Sequence, residues 1–502
     1  MSKKIKIYRS RIEISPYYKG ESQTLERKLE IFDYLNRTVS MRLYRIVGDK
    51  LYVPKGLSVE EIEKCIVNDG IVEYEKEYLG DEVRPGRDIE LNMRPGVGAR
   101  DDHQIKAISF LVSSDTNAQK FLNIDTGYGK TFCAIKSISI LGKATMIIMA
   151  NSNLMKQWQE ALKNFTYINE SDIRIVSGRD SVEKTYREKE KGMIYICSTQ
   201  TMAILSEEDK LQEFVEKNGI GIKIIDEAHE MMNAVSMIEN GCDVFHNFYL
   251  TATPERSDTR EDILYLRITK TFKRFGGYTS DLLKYVHVKN VHINTYPSPW
   301  HIRVCQTKNG FSAILYEKFV FKSDRKKTFF YLICKFICLR ILRQDPDAKI
   351  LIILSIRESI NEISRLFKFN DNIKCGVFTN DSKNKAVQLN RNIILSTLKS
   401  SGAGMDIKNL RCIINFVPFK SPVLLHQLMG RLRYMPGKAL FYFNIIDEGY
   451  DNIVKQNFQR QLFFRQKAAD ISDMKLNINL LVNKCYETVD KEEKEEDPEY
   501  DY

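Results

Sequence analysis

Twice along this chain of 502 residues, short apolar runs alternate with amphipathic stretches of helical period. No other feature restricts the fold as tightly. From about 100 to 290 the runs are Phe121–Ile124, Ala144–Ala150, Ile173–Val176, Met193–Cys197, Ile222–Ile225 and Phe248–Thr251. They recur after 345 at Lys349–Leu354, Lys374–Phe378, Asn392–Ser396, Arg411–Phe416 and Ala439–Ile445. Short apolar runs without polar alternation suit strands buried on both faces, as in a parallel sheet covered by helices. The expectation is an α/β protein with two such domains in tandem. At roughly 100–200 residues per domain, the length leaves room for one more.

The first 95 residues read differently. Lys4–Ile14 alternates like a strand, a helix-like segment follows near Leu25–Asn36, and further strands fit Met41–Val47 and Leu51–Gly56. Val59–Val67 is amphipathic, and Arg84-Pro85-Gly86 and Arg94-Pro95-Gly96 read as a linker. The expected organisation is a small α+β accessory domain (1–95), a first parallel-sheet domain (96–290) and a second (291–450) with a helical bridge over 310–345. C-terminal helices (451–485) and an acidic tail (486–502) complete it.

Charge and cysteine usage narrow the setting. The net charge is +10, although Asp490–Asp501 alone holds eight acids and two lysines. The rest of the chain is more basic still, which fits a polyanion partner; the tail reads as solvated and disordered. Ten cysteines form no C-x-x-C pair or zinc-spaced cluster. Cys334 and Cys338 share one helical face as buried thiols, so a reducing compartment and no structural metal are expected. The N-terminus lacks a signal-peptide run, and the most apolar stretch, Phe329–Leu342, is broken by Lys335 and Arg340. A cytoplasmic protein with no membrane segment is expected.

Thr126-Gly127-Tyr128-Gly129-Lys130-Thr131 follows the run Phe121–Ile124 and precedes a helical stretch. Glycines let backbone wrap phosphate oxygens, and a helix N-terminus adds N–H groups and its dipole. Lys130 would reach the β- and γ-phosphates of ATP and Thr131 would ligate Mg²⁺. The full phosphate-loop pattern fails at its first glycine, where Ile124 stands. Asp226-Glu227-Ala228-His229 follows the run Ile222–Ile225. Two acids at the end of a buried strand call for a cation. Asp226 would hold Mg²⁺ through water, and Glu227 would orient and deprotonate the attacking water.

These residues resemble superfamily 2 helicases of the DEAH-box type, and the resemblance extends through most of 100–450. It implies two tandem RecA-like domains acting as a nucleic-acid-dependent ATPase, with ATP and Mg²⁺ as cofactors. Gln104 looks like the glutamine that reads adenine. Asn151 and Ser152, then Thr199 and Gln200, stand where the family touches the nucleic-acid backbone, as does Thr397. Ala150-Asn151 departs from the usual Pro-Thr there. Thr251 and Thr253, with His229 and Arg256, match the segments that couple hydrolysis to movement. Gly404 and Asp406 resemble a further nucleotide-contacting segment. Gln427 through Arg433 resembles the segment whose arginines stabilise the γ-phosphate from the second domain. The family's second arginine falls at Tyr434, so Arg431 and Arg433 both remain finger candidates.

Within the superfamily the chain looks similar to UvsW-type helicases of phages and cytoplasmic DNA viruses. That similarity implies single-stranded, duplex or branched DNA as partner, 3′ to 5′ movement, and work in branch migration or fork regression during replication, recombination or repair. For a virus, the setting would be the host cytoplasm. The accessory domain would bind duplex through Lys4, Lys6, Tyr8, Arg9, Arg11, Tyr17, Tyr18 and Lys19. A monomer is expected. The alternatives are an RNA helicase or viral transcript-release factor, a translocase subunit of a larger complex, and an inactive nucleic-acid scaffold, which intact Lys130, Thr131, Asp226 and Glu227 oppose.

Overall fold

The computed structural model describes residues 2–33, 38–114, 119–124, 128–150, 152–228, 232–251, 267–275, 284–307, 310–379, 382, 385–398, 400 and 407–482. The chain forms two compact units, Met1–Thr279 and Ser280–Tyr502. Among the described residues no helix is long and apolar enough to cross a membrane.

The first unit holds a seven-stranded sheet whose every paired strand is parallel. In spatial order its strands are Ile173–Val176, Ile194–Ser198, Thr145–Met149, Ile222–Asp226, His246–Thr251, Lys120–Asn123 and Lys273–Phe275. The central strands are buried along their whole length, as their unbroken apolar runs require. All carboxyl ends lie at one edge, where open α/β sheets collect their ligands.

The N-terminal residues build a second, smaller sheet in this unit. Its order is Arg45–Val47, Lys50–Pro54, Arg11–Ser15, Lys3–Ile7 and Tyr74–Tyr78, and only the last pair is parallel. Its Ile5, Ile12, Ile14 and Leu51 join one continuous core with Met146, Ile148, Tyr195 and Phe214 of the large sheet's domain.

Arg9 and Arg11, two of the eight supposed duplex-binding side chains, turn inward at this junction. Arg9 is 2% exposed. Its guanidinium lies 3.6 Å from the Phe245 ring centroid and donates to the carbonyls of Gly80 and Phe245. Arg11 donates to the Asn240 carbonyl, and Tyr17 is fully buried. Asp243 accepts from the backbone N–H of Arg9 (3.0 Å) and Ser10 (2.7 Å) and from the Ser10 hydroxyl (2.6 Å). Arg9 and Arg11 therefore hold the module in place, and Tyr17 packs inside it with its hydroxyl on Glu26 at 2.9 Å, which corrects their expected role. Lys4, Tyr18 and Lys19 remain exposed.

The expected linker is also docked. Arg87 N–H donates to the Gly219 carbonyl at 2.7 Å and Ile89 N–H to Gly142 at 2.9 Å. At Gly86, a Cβ would fall 2.3 Å from the Gly221 Cα, so only glycine lets the two backbones approach.

The second unit repeats the design. Its parallel sheet runs Gly376–Phe378, Ile393–Thr397, Lys349–Leu354, Leu410–Asn415, Leu440–Asp447, Val286–Ile293 and Asp470–Lys475. Along Lys349–Leu354, Ile350, Ile352 and Leu354 enter one core while Leu351 and Ile353 enter the other. This is the two-residue period of a strand covered on both faces. A polar row crosses the sheet at one level. Asn415 pairs in register with Asn444, Asn444 with Asn290, and Asn290 with Asp473. Asn444 Nδ2 donates to Asn290 Oδ1 at 2.9 Å, and Asn290 Nδ2 to Asp473 Oδ1 at 2.9 Å.

The helical bridge is the pair Ala313–Phe321 and Asp324–Gln344, and Cys334 and Cys338 are buried free thiols on the second helix. Two departures from expectation concern this unit. Val286–Ile293 belongs to the second sheet, so the unit begins some ten residues early. The C-terminal segment has the helix Asp451–Lys467 and helical residues 478–482, as expected, but the edge strand Asp470–Lys475 stands between them.

Candidate nucleotide site

Three neighbouring strands of the first unit place the site. The strand Lys120–Asn123 leads to the loop that ends at Gly129 and the helix Lys130–Leu141. Its neighbour ends at Thr251 and the next ends at Asp226. Thr251 O accepts from Ile124 N–H at 3.1 Å and Leu250 O from Ala228 N–H at 3.1 Å, so the middle strand holds the loops on either side. Thr251 is completely buried.

Gly129 caps the helix with φ +91°, and a Cβ there would lie 2.6 Å from Gln104 Nε2. The loop therefore offers backbone alone at this point. Lys130 opens the helix, nearly buried; its Nζ donates to the Ile124 carbonyl at 3.2 Å and lies 3.9 Å from Glu227 Oε1. Thr131 follows half-buried on the first turn. Glu227 has φ +48°, a left-handed conformation costing a side-chain-bearing residue roughly 1–2 kcal/mol. That turn sets Glu227 beside Lys130.

Both oxygens of Asp226 are engaged. Oδ1 accepts from Glu227 N–H at 3.0 Å, and Oδ2 accepts from the Trp158 indole Nε1–H at 2.7 Å. Burial, then the neighbouring Glu227 charge, raises the Asp226 carboxyl above its ordinary range; Trp158 and Lys130 oppose the rise. A buried carboxylate so placed is relieved by a cation. This, with the backbone-only cradle at Gly129, fits a Mg²⁺–nucleotide complex.

Gln104 is 4% exposed, and both ends of its amide are used inside the protein. Nε2 donates to Tyr128 O at 2.8 Å, and Oε1 accepts from Arg100 N–H at 2.7 Å. In this structure it braces the loop rather than presenting itself to a base.

Of the residues expected to touch nucleic acid, Ser152 is exposed at the start of the helix Ser152–Phe165, and Gln200 is exposed as the second residue of Thr199–Glu207. Thr199 is 3% exposed, so its side chain packs inside and leaves only backbone for such a contact. Thr397 ends a strand of the second unit, its hydroxyl bonded to Ser400. Gln427 lies half-buried on the helix Pro422–Met429. Beyond it, buried Leu432 separates half-buried Arg431 from exposed Arg433, and the Leu432 carbonyl accepts from Tyr285 Oη at 2.8 Å. Thr126, Gly127, Asn151, His229, Thr253, Arg256, Gly404 and Asp406 lie outside the described residues.

One member of the site was not expected beside the acidic pair, although its segment, Met146–Trp158 with Leu154, Gln157 and Trp158, resembles one that touches nucleic acid. Trp158 sits 68 positions before the carboxylate it contacts, and no local pattern signals such a pairing.

The family described as "Type III restriction enzyme, res subunit" matches residues 99–256. "Transcript termination protein A18" of Yaba-like disease virus is 24% identical over 340 residues, covering 62% of this chain and 64% of that protein. The chain thus spans just under two-thirds of the length of such viral relatives. "Putative DNA 3'-5' helicase Rad25" of Haloarcula marismortui is 27% identical over 141 residues, 28% of this chain and 21% of that protein. The solved structure of T4 UvsW aligns over 95% of this chain and 100% of its own, at 14% identity and a TM-score of 0.34. The loop before Lys130 and the acidic pair Asp226–Glu227 stand at strand ends on either side of the strand ending at Thr251, within the residues that the restriction-type family matches, and this region of the chain resembles superfamily 2 helicases.

Proposed function

We propose that this chain is a nucleic-acid-dependent ATPase that drives itself along DNA. The clustering of Lys130, Asp226 and Glu227 carries the reading, with Lys130 and Glu227 only 3.9 Å apart. Lys130 exchanges its present acceptor, the Ile124 carbonyl, for β- and γ-phosphate oxygens. Thr131 and Asp226 would hold Mg²⁺, which would supply positive charge against those phosphates. Glu227 orients a water and takes its proton. Tyr128 and Gly129 would line the phosphates; the resemblance assigns Thr126 and Gly127 the same work and Gly404 and Asp406 a role toward the nucleotide. Arg431 and Arg433, flanking Leu432, supply positive charge to the transition state, with Gln427 alongside. Ser152, Gln200 and Thr397, with Asn151 and the Thr199 backbone, grip the nucleic-acid backbone. Thr251, with His229, Thr253 and Arg256, passes the state of the site to that grip.

The relatives named for transcript termination match 62% of this chain, a wider share than the 28% matched by the Rad25 relative. That breadth favours release of transcripts from DNA as the motor's work. Remodelling of branched DNA is the second reading, favoured by the Rad25 relative's name.

The test is ATPase rate across single-stranded DNA, duplex, four-way junctions, RNA and a stalled transcription complex, for the wild type and for Lys130→Ala and Glu227→Gln. DNA stimulation in the wild type alone is expected. Wild-type hydrolysis by either variant would overturn the site assignment, and RNA as sole activator would overturn the DNA reading.

A further inference from the structure

The helix Ser152–Phe165 joins two parts of the protein that the proposed cycle must connect. Its first residue, Ser152, is exposed where the backbone of a nucleic acid is expected. Six residues on, at roughly 1.5 Å per residue, Trp158 lies within the domain at 1% exposure. Its indole N–H makes a 2.7 Å hydrogen bond to Asp226 Oδ2. An indole has one donor and no acceptor, so this bond has one direction and one partner. Asp226 has no other side-chain donor among the hydrogen bonds of the described residues, since Oδ1 takes the backbone N–H of Glu227.

From this geometry we infer that Trp158 is the positioning residue for Asp226. It fixes the rotation of the carboxylate that receives Mg²⁺ and ties that rotation to the helix bearing Ser152. The inference rests on the ATPase reading above. A ligand oxygen held by an N–H from outside the metal's own shell keeps its aim, and removing such a partner weakens metal binding by roughly tenfold or more. The link is rigid. The helix moves as one body, so a displacement at Ser152 reaches the indole directly. Phenylalanine preserves most of the ring's packing and removes only the donor.

The experiment uses the full chain and a fluorescent ADP analogue titrated with and without Mg²⁺. In Trp158→Phe, affinity without Mg²⁺ should equal the wild type's, and the Mg²⁺ concentration for half-maximal tightening should rise about tenfold. The KM for ATP at saturating Mg²⁺ should stay near the wild type's. A spectroscopic arm uses Trp300→Phe, which leaves Trp158 as the single tryptophan. Its emission should change on addition of Mg²⁺–ADP, and again on addition of single-stranded DNA. This arm leaves the Trp158–Asp226 bond intact and so decides the question even if Trp158→Phe fails to fold. A folded Trp158→Phe with wild-type Mg²⁺ dependence would overturn the inference, as would an emission blind to Mg²⁺–ADP. Failure of the ATPase reading looks different, because the wild type itself would then bind the analogue no better than Lys130→Ala.

Discussion

Lys223 Nζ donates to Glu239 Oε1 at 2.6 Å, and both side chains are completely buried. Lys223 lies three residues before Asp226 on the same strand, and Glu239 also accepts from Gln119 Nε2 at 2.8 Å. Removing one partner strands a buried charge. Lys223→Met should cost about 3–5 kcal/mol in chemical denaturation. The double variant Lys223→Met with Glu239→Leu should recover most of that loss. Equal instability of single and double variants would mean that packing, not charge, holds this region.

The clasp at Asp243 predicts the behaviour of the N-terminal module. Asp243→Ala leaves the backbone N–H groups of Arg9 and Ser10 without this acceptor, at a cost of about 3 kcal/mol, while the Ser10 hydroxyl keeps the Cys242 carbonyl. Hydrogen exchange should then speed up first in Lys3–Ile7 and Arg11–Ser15, ahead of the large sheet. Uniform exchange across the whole unit would refute a local role.

His246 gives the stability a pH dependence. Burial, followed by the charges of Lys120, Arg9 and Lys143, lowers its pKa from 6.5 to about 4. Between those values the unfolded chain binds the proton and the folded chain does not. Stability from this group is therefore full above pH 6.5 and is lost as pH falls toward 4, by on the order of 3 kcal/mol at most. Melting temperature measured from pH 7 to 5 should drop less in His246→Asn than in the wild type.

Gly129→Ala tests the cradle. Alanine at φ +91° is strained, and its Cβ would push the Gln104 amide off the Tyr128 carbonyl. The KM for ATP should rise about tenfold, equivalent to about 1.4 kcal/mol. An unchanged KM would show that the loop adapts without Gln104.

The sequence carried the interior of the fold well and its margins poorly. Ile173–Val176 and Lys349–Leu354 coincide with observed strands, and most other runs miss by one or two residues. Strands buried on both faces must be apolar throughout, so they announce themselves. Val286–Ile293 interleaves His287, Lys289 and His292 with its valines, and Asp470–Lys475 is largely exposed. Such strands carry no apolar run to read. Lys130, Asp226 and Glu227 were legible because strand-end loops carry recognisable local spacing. The inward turn of Arg9, the burial of Thr199 and the bond from Trp158 depend on tertiary partners that no local window contains.

The polar row through Asn415, Asn444, Asn290 and Asp473 has a consequence for how the second unit assembles. A parallel sheet of nearly uniform Ile, Leu and Val tolerates sliding, because a strand shifted by one residue still buries apolar side chains on both faces. The asparagines remove that tolerance. The amides of Asn444 and Asn290 make their cross-strand bonds only when the three strands are aligned at one level, and a slip leaves those buried donors and acceptors unmet, whereas Asn415 bonds the nearby Val417 backbone. The aligned sheet is therefore favoured over a slipped one by the cost of burying these amides unpaired.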